Sequence, residues 1–306
     1  MEHIWYTGLD NYKKHIMEPG KFTMELLDVP HNKFTTVQDA FAAHLVGANL
    51  PVEVLYSGGL DSECIIVACL QKKIPVIAVT MKLLYKGSPF NTHDLYYAEK
   101  FCRANDVRQV FYELEISNFF EKGDHLKYTD PYHITYFNVP THMWLIEQCH
   151  NFPIIGGDYS WPQLNIGKKV FSPHKHEFAC YDIFMRDNGI TGIGNMLSHS
   201  IDSNIFFAKE HITVHRKDPD NVDGDDLRIR NLKIQMLENL GFGKLELRHK
   251  SYGWEIIDRN KNWFDLTEII NGMVERSGRT KSIVRWGSTM GSVLETGPGE
   301  NDSYGK

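Results

Sequence analysis

The chain has 306 residues, 42% of them apolar and 24% charged, with a formal net charge of −6. This is the composition of a globular protein with room for one large domain or two smaller ones. It excludes a membrane span, since no apolar run is long enough, and the acidic balance weighs against broad nucleic-acid binding. The start, Met1-Glu2-His3-Ile4-Trp5-Tyr6, lacks the basic and apolar regions of a signal peptide. Cys64, Cys69, Cys102, Cys149 and Cys180 form no C-x-x-C pair. An odd, scattered set of this kind predicts reduced thiols in a cytoplasmic protein.

In chain order, residues 1–35 read as a small strand-rich lead-in. Glu2 to Tyr6 and Phe22 to Val29 are candidate strands around a Pro19-Gly20 turn. Thr35-Thr36 caps a helix in which Val37, Ala40, Phe41, His44 and Leu45 share helical spacing, and Asn49-Leu50-Pro51 ends it. Val52 to Tyr56 is a buried strand, followed by a two-glycine loop and an apolar-faced helix, Cys64 to Leu70. Pro75 to Thr80 is continuously apolar, as a central parallel strand should be, so the two strands and their helix form a βαβ unit. Met81 to Thr92 reads as a loop. Asp94 to Ala104 is a helix, Gln109 to Leu114 a third strand, and residues 115–137 show no clear period. Val139 to His150 is a helix, and Phe152 to Ile155 a short strand ending in Gly156-Gly157-Asp158. Residues 36–165 thus predict an α/β domain, a parallel sheet of about five strands flanked by helices.

Beyond residue 165 the alternation stops. Phe178 to Arg186, Gly192 to Ser200, Asp202 to His211 and Leu227 to Leu240 read as helices, the last ended by Gly241-Phe242-Gly243. Leu245 to His249 and Trp254 to Ile257 read as short extended pieces, and Asp265 to Val274 as a final helix. Residues 166–306 therefore form a mostly helical lobe with a Gly- and Ser-rich tail. His174 and His176 lack partners at zinc spacing, and the acidic stretch 218–226 lacks the closing Glu of a calcium loop.

The chemistry concentrates at Ser57-Gly58-Gly59-Leu60-Asp61-Ser62. Backbone N–H groups in a strand-to-helix turn have no partners within the helix, and the helix dipole adds positive potential, so the turn is an anion site. The glycines permit close backbone approach, and Ser57 and Ser62 add hydroxyls. A carboxylate there repels phosphate unless Asp61 holds Mg²⁺, a hard cation that bridges carboxylate to phosphate.

This stretch matches SGGxDS completely and resembles the PP-loop ATP pyrophosphatase superfamily, N-type. The preceding helix and the Pro51-Val52 strand are similar to the synthetase domain of asparagine synthetase and β-lactam synthetase. So is the later helix with Asp94, Ala98 and Cys102, though any α/β protein has such a helix. The resemblance implies an adenine nucleotide alpha hydrolase-like fold, ATP and Mg²⁺ as cofactors, and attack on the α-phosphate with release of pyrophosphate. It implies nucleotide contacts from Leu55, Ser57, Gly58, Gly59, Asp61, Ser62, Val79, Met81, Gly156 and Gly157. Asp61 and Asp158 would be metal ligands, although Tyr159 stands where the family carries a further acid. Asp61 would be catalytic together with a C-terminal lysine, for which Lys250 is the first candidate and Lys168 and Lys169 compete.

The implied reaction is an AMP-forming ligase or amidotransferase-like one. A carboxylate or carbonyl oxygen of an acceptor, a small molecule or a modified base, is adenylated, and an amine or ammonia displaces AMP. Asparagine synthetase itself carries a glutaminase domain with an N-terminal cysteine. Here about 50 residues precede the strand and the first cysteine is Cys64. Nitrogen would come from free ammonia, an amine or a separate protein. A nucleobase- or tRNA-modifying PP-loop enzyme, by thiolation or amidation, and an ATP-binding protein without turnover are the alternatives. The acceptor and the oligomeric state stay open.

Overall fold

The computed structural model describes residues 24–25, 34–132, 134, 137–157, 162–165, 168–171, 176–199, 201–217 and 226–248. The elements begin with β1 (Met24–Glu25) and α1 (Val37–His44). Thr36 caps α1: its Oγ1 accepts the Asp39 N–H at 3.1 Å. Next come β2 (Val52–Leu55), α2 (Leu60–Gln71), β3 (Val76–Tyr85), β4 (Ser88–Pro89), α3 (Thr92–Ala104) and β5 (Arg108–Glu115). Then follow α4 (Ile116–Glu121), α5 (Leu126–Tyr132), α6 (Asn138–Glu147), β6 (Phe152–Ile155), β7 (Pro162–Asn165) and β8 (Lys168–Phe171). The described chain closes with α7 (His176–Asp187), α8 (Ile201–Lys217) and α9 (Asp226–Asn239).

β2 pairs in parallel with β3 on one side and β6 on the other, and β3 pairs in parallel with β5. β4 folds back antiparallel on the end of β3. Ile193 adds a one-residue parallel bridge beside Ile154. Its N–H donates to the Pro153 carbonyl, and its own carbonyl accepts the Ile155 N–H, both at 2.9 Å. The sheet therefore grows outward from β2 in both directions.

Both faces are covered around β2, which is why β2, β6 and the first half of β3 are buried almost throughout. Val52, Val54, Tyr56, Ala78 and Ile154 face a core shared with α1, α2 and α3. Leu55, Ile77, Val79 and Ile155 face a second core with α4 to α7. α8 and the turn after α9 join the first core, where the Phe207 and Phe242 rings stack 6.5 Å apart beside Phe41. The strand order reverses direction between β2 and β6. In open α/β sheets, ligands bind outside the carboxyl ends of the strands at that crevice. At the opposite end of β2, the buried Glu53 accepts the N–H groups of His150 and Asn151 at 2.7 and 2.8 Å. No helix among the described residues is long and apolar enough to cross a membrane.

The structure departs from the sequence reading in three places. Met81 lies in a strand, not a loop, because β3 runs on to Tyr85 and keeps its register with β5 through Leu84 and Glu115. Alternation explains this: Met81 and Leu83 point into the core, while Lys82 pairs with Glu113 at 3.6 Å. Gly192 to Ser200 is not a helix. The sheet edge captures Ile193, and only a short 3₁₀ turn, Met196–Ser198, follows. Strand pairing also continues past residue 165: β7, β8 and β1 form a separate antiparallel sheet of three strands. The pieces expected at Glu2 to Tyr6, Trp254 to Ile257 and Asp265 to Val274 lie outside the described residues.

Candidate active site

The loop Ser57–Gly59 joins β2 to α2 at the crevice. Its approach is fixed from below: the Tyr56 N–H donates to the Val79 carbonyl at 2.8 Å, and Thr80 Oγ1 donates to the Tyr56 carbonyl at 2.9 Å. Gly58 takes φ +82°, and a Cβ there would meet the Asp94 carbonyl at 2.5 Å, so only glycine fits against α3. Gly59 is the N-cap of α2 and no side chain caps it. The open N-terminus of a twelve-residue helix thus faces the loop. Ser57 is exposed, and the buried Ser62 donates its hydroxyl to the Gly59 carbonyl at 3.3 Å.

The carboxyl end of β6 lies directly against this helix start. A Cβ on Gly156 would sit 2.8 Å from the Ser62 nitrogen, so the two glycine turns meet. Gly157, at φ +73°, is overlaid by the Asn195 side chain. Leu55 and Val79 are register partners on the face away from α2, and Met81 follows on that face. All three belong to the apolar layer beneath the strand ends, at 9%, 1% and 8% exposure. Asp158 and Lys250, expected as metal ligand and catalytic lysine, lie outside the described residues, as do Tyr159 and His174. Lys168 and Lys169 fall in β8, in the separate antiparallel sheet.

Two cations that the sequence reading did not select reach the loop from the far end of the chain. Lys233, on α9, sits with Nζ 2.7 and 2.8 Å from the two Asp61 carboxylate oxygens. Arg248, 9% exposed, donates to the Gly58 carbonyl and to Glu63 Oε2. Its guanidinium lies 5.1 Å from the Tyr97 ring centroid. Tyr56 Oη also donates to Glu63, at 2.6 Å. Burial first, and Glu63 second, push the Tyr56 phenol far up, so it stays a donor. Burial alone would lower the Arg248 guanidinium, but Glu63 beside it more than reverses that.

Glu63 carries a signal a sequence reading can use. A carboxylate directly before Cys64-Ile65-Ile66, on the buried side of a helix, calls for strong donors, and a cation is one way to supply them. Lys233, between Leu232 and Ile234, carries no such signal.

A magnesium ion would reach the carboxylate that is present once Lys233 gives up the two Asp61 oxygens it holds at 2.7 and 2.8 Å. Mg²⁺ is commonly held by one or two carboxylates together with substrate phosphates and water, and Asp61 supplies one at the rim of the anion site. A free-standing cage is another matter: no group of three His, Cys, Asp or Glu gathers among the described residues.

No protein-family model matches the chain, and no curated protein matches it. Among solved structures it is similar to the U34-tRNA thiolase NcsA from Methanococcus maripaludis with its 4Fe-4S cluster, at 14% identity, 80% coverage of this chain, 78% of that one and a TM-score of 0.32. It is similar to NMN synthetase from Francisella tularensis at 12% identity, 81% and 98% coverage and a TM-score of 0.30. It is similar to NH3-dependent NAD synthetase from Campylobacter jejuni at 15% identity, 70% and 96% coverage and a TM-score of 0.29. Likeness at this level carries no argument about activity.

Proposed function

We propose that the chain is an AMP-forming ATP pyrophosphatase of the PP-loop kind, working as an amide- or amine-forming synthetase. The observation that supports this best is the open N-terminus of α2, reached through Ser57-Gly58-Gly59, at the crevice between β2 and β6 with Asp61 and Lys233 at its rim. The loop and helix N–H groups, with the Ser57 and Ser62 hydroxyls, receive the β- and γ-phosphates of ATP. Leu55, Val79 and Met81 form the apolar floor for the base, and Gly156 and Gly157 the opposing wall. Asp61, joined by Asp158, would hold Mg²⁺, which when bound offsets charge on the departing pyrophosphate.

An acceptor oxygen attacks the α-phosphorus. The bond from that phosphorus to the β-phosphate oxygen breaks, and pyrophosphate leaves. An amine nitrogen then adds to the activated acceptor carbon, its proton is lost, and the carbon–oxygen bond to AMP breaks. Lys233 takes the place given to a C-terminal lysine: released from Asp61, its ammonium lies beside the phosphates and stabilises charge that grows during transfer. The nitrogen donor is an amine, ammonia or a separate protein.

Thiolation is the weaker reading, because it calls for a reactive thiol. Burial pushes Cys69, Cys102 and Cys149 up to about 12 and raises Cys64 well above the ordinary thiol value, so none of these is a thiolate at neutral pH.

The test is turnover of α-labelled ATP with Mg²⁺ across carboxylate and amine pairs, for wild type and Asp61→Ala. AMP and pyrophosphate, lost in the variant, are the expected products. ADP would overturn the reading.

A further inference from the structure

We propose that Arg248 is a positioning residue of the anion site: by holding the Gly58 carbonyl on the buried side of the loop, it aims the Gly59 N–H at the bound phosphate. This rests on the loop being a pyrophosphate cradle.

The peptide unit joining Gly58 to Gly59 is planar and trans, so its carbonyl and its N–H point in opposite directions. Arg248 donates to that carbonyl from a site that is 9% exposed. The N–H at the other end of the plane therefore points away from Arg248, on the side of the half-exposed Gly59. It has no acceptor among the described residues. A plane flanked by two glycines rotates easily, since neither residue carries a Cβ to bar the alternative. Rotated by half a turn, it would present a carbonyl oxygen to the phosphate and remove one donor. Nothing in the loop's own covalent structure selects the productive orientation. Arg248 selects it from outside.

The guanidinium is itself locked. Glu63 takes a second of its N–H groups, and Tyr56 Oη holds Glu63 at 2.6 Å. The Tyr97 ring packs against the guanidinium, and Arg230 Nη1 donates to the Arg248 carbonyl at 2.6 Å. An arginine suits the position because its planar fork serves two acceptors in different directions, which an ammonium does less well. Tyr56, Glu63 and Tyr97 thus act on the loop through Arg248.

The probe is inorganic pyrophosphate, titrated calorimetrically into the full chain and followed in the amide spectrum of glycine-15N-labelled protein. Gly59→Ala assigns the Gly59 resonance. Wild type is expected to bind and to shift that resonance on binding. Arg248→Met is expected to bind about tenfold more weakly or worse, with the Gly59 amide no longer responding. That variant leaves Glu63 buried without its cation and is at risk of not folding. The double variant Glu63→Gln, Arg248→Met removes both charges, is expected to fold, and still lacks the anchor, so its binding stays weak. Arg248→Lys keeps the charge beside Glu63 and is expected to recover only part of the affinity.

The proposal is overturned if the double variant folds and binds pyrophosphate as wild type does, with the same Gly59 shift. It is also overturned if the double variant restores what Arg248→Met loses, because the loss then came from the unpaired Glu63. A wild type that binds neither pyrophosphate nor ATP with Mg²⁺ takes down the cradle itself, and the role of Arg248 with it.

Discussion

The two ends of β2 handle buried charge in opposite ways. At the amino end, Glu53 accepts two backbone N–H groups from the turn before β6, with no ion pair among the described residues. At the carboxyl end, Asp61 and Glu63 each meet a cation from the far end of the chain, Lys233 and Arg248, 172 and 185 residues away. The first arrangement fastens two adjacent strands and serves stability. The second gathers charge around a helix start whose own polar groups are open, which is an arrangement suited to a ligand. The two carboxylates also differ from each other. Glu63 is buried under Arg248, with side-chain exposures of 4% and 9%, whereas Asp61 and Lys233 are at 31% and 20%.

Three substitutions break or sharpen this contrast. Asp61→Asn should reduce AMP-forming turnover about 100-fold or more, while the melting temperature stays near wild type. Glu53→Ala should do the reverse. It leaves two partly buried N–H groups without their acceptor and should cost about 2 kcal/mol by chemical denaturation, with pyrophosphate affinity unchanged. Lys233→Met should lower turnover about tenfold and barely move stability, since a partly exposed ion pair contributes little to folding. If Lys233→Met unfolds the protein instead, the carboxyl end is as structural as the amino end.

The smallest expected effect is on pH dependence, at the carboxyl side of the sheet. Burial holds His142 and His199 down to about 4, and raises Asp182 to about 6 although the Gly194 N–H donates to it at 2.6 Å. A histidine depressed in the fold contributes stability that is present above its ordinary 6.5 and is lost as pH falls through about 4. A raised Asp182 works the other way: its contribution is present below 3.8 and is lost as pH rises through about 6. His199→Gln should therefore flatten the loss of stability on acidification between pH 6.5 and about 4. Asp182→Asn should steepen it. Denaturant midpoints across that range check both.

What could be read from the sequence was contiguous. The run Val52 to Ser62 places strand, loop and helix within reach of one another, and their period and glycines are local properties. Phe152 to Ile155 was legible for the same reason. The extension of β3 was not, because Gly87-Ser88-Pro89 makes the whole segment look like a loop until β5 supplies partners for its first half. Ile193 gives no strand signal because a one-residue strand has no period of its own. Lys233 and Arg248 escaped because their roles depend on which turn of α9, and which residue after it, lands beside the loop. That is set by packing of Phe207 and Phe242 against Phe41 and by ties from Gln38 and Gln71 to the carbonyls of Leu240 and Gly241.

The distance in sequence between the loop and its cations has a consequence for the order of events on the ribosome. A chain is made from its amino end and its units fold as they emerge. The glycine loop is synthesised long before Lys233 and Arg248, which follow Asp61 and Glu63 by 172 and 185 residues. Until residue 248 emerges, Glu63 has no guanidinium and the Gly58 carbonyl has no anchor. A nascent chain therefore holds the outline of the glycine loop without the charges that complete it, and the late residues work as a built-in delay on whatever anion the loop is proposed to capture.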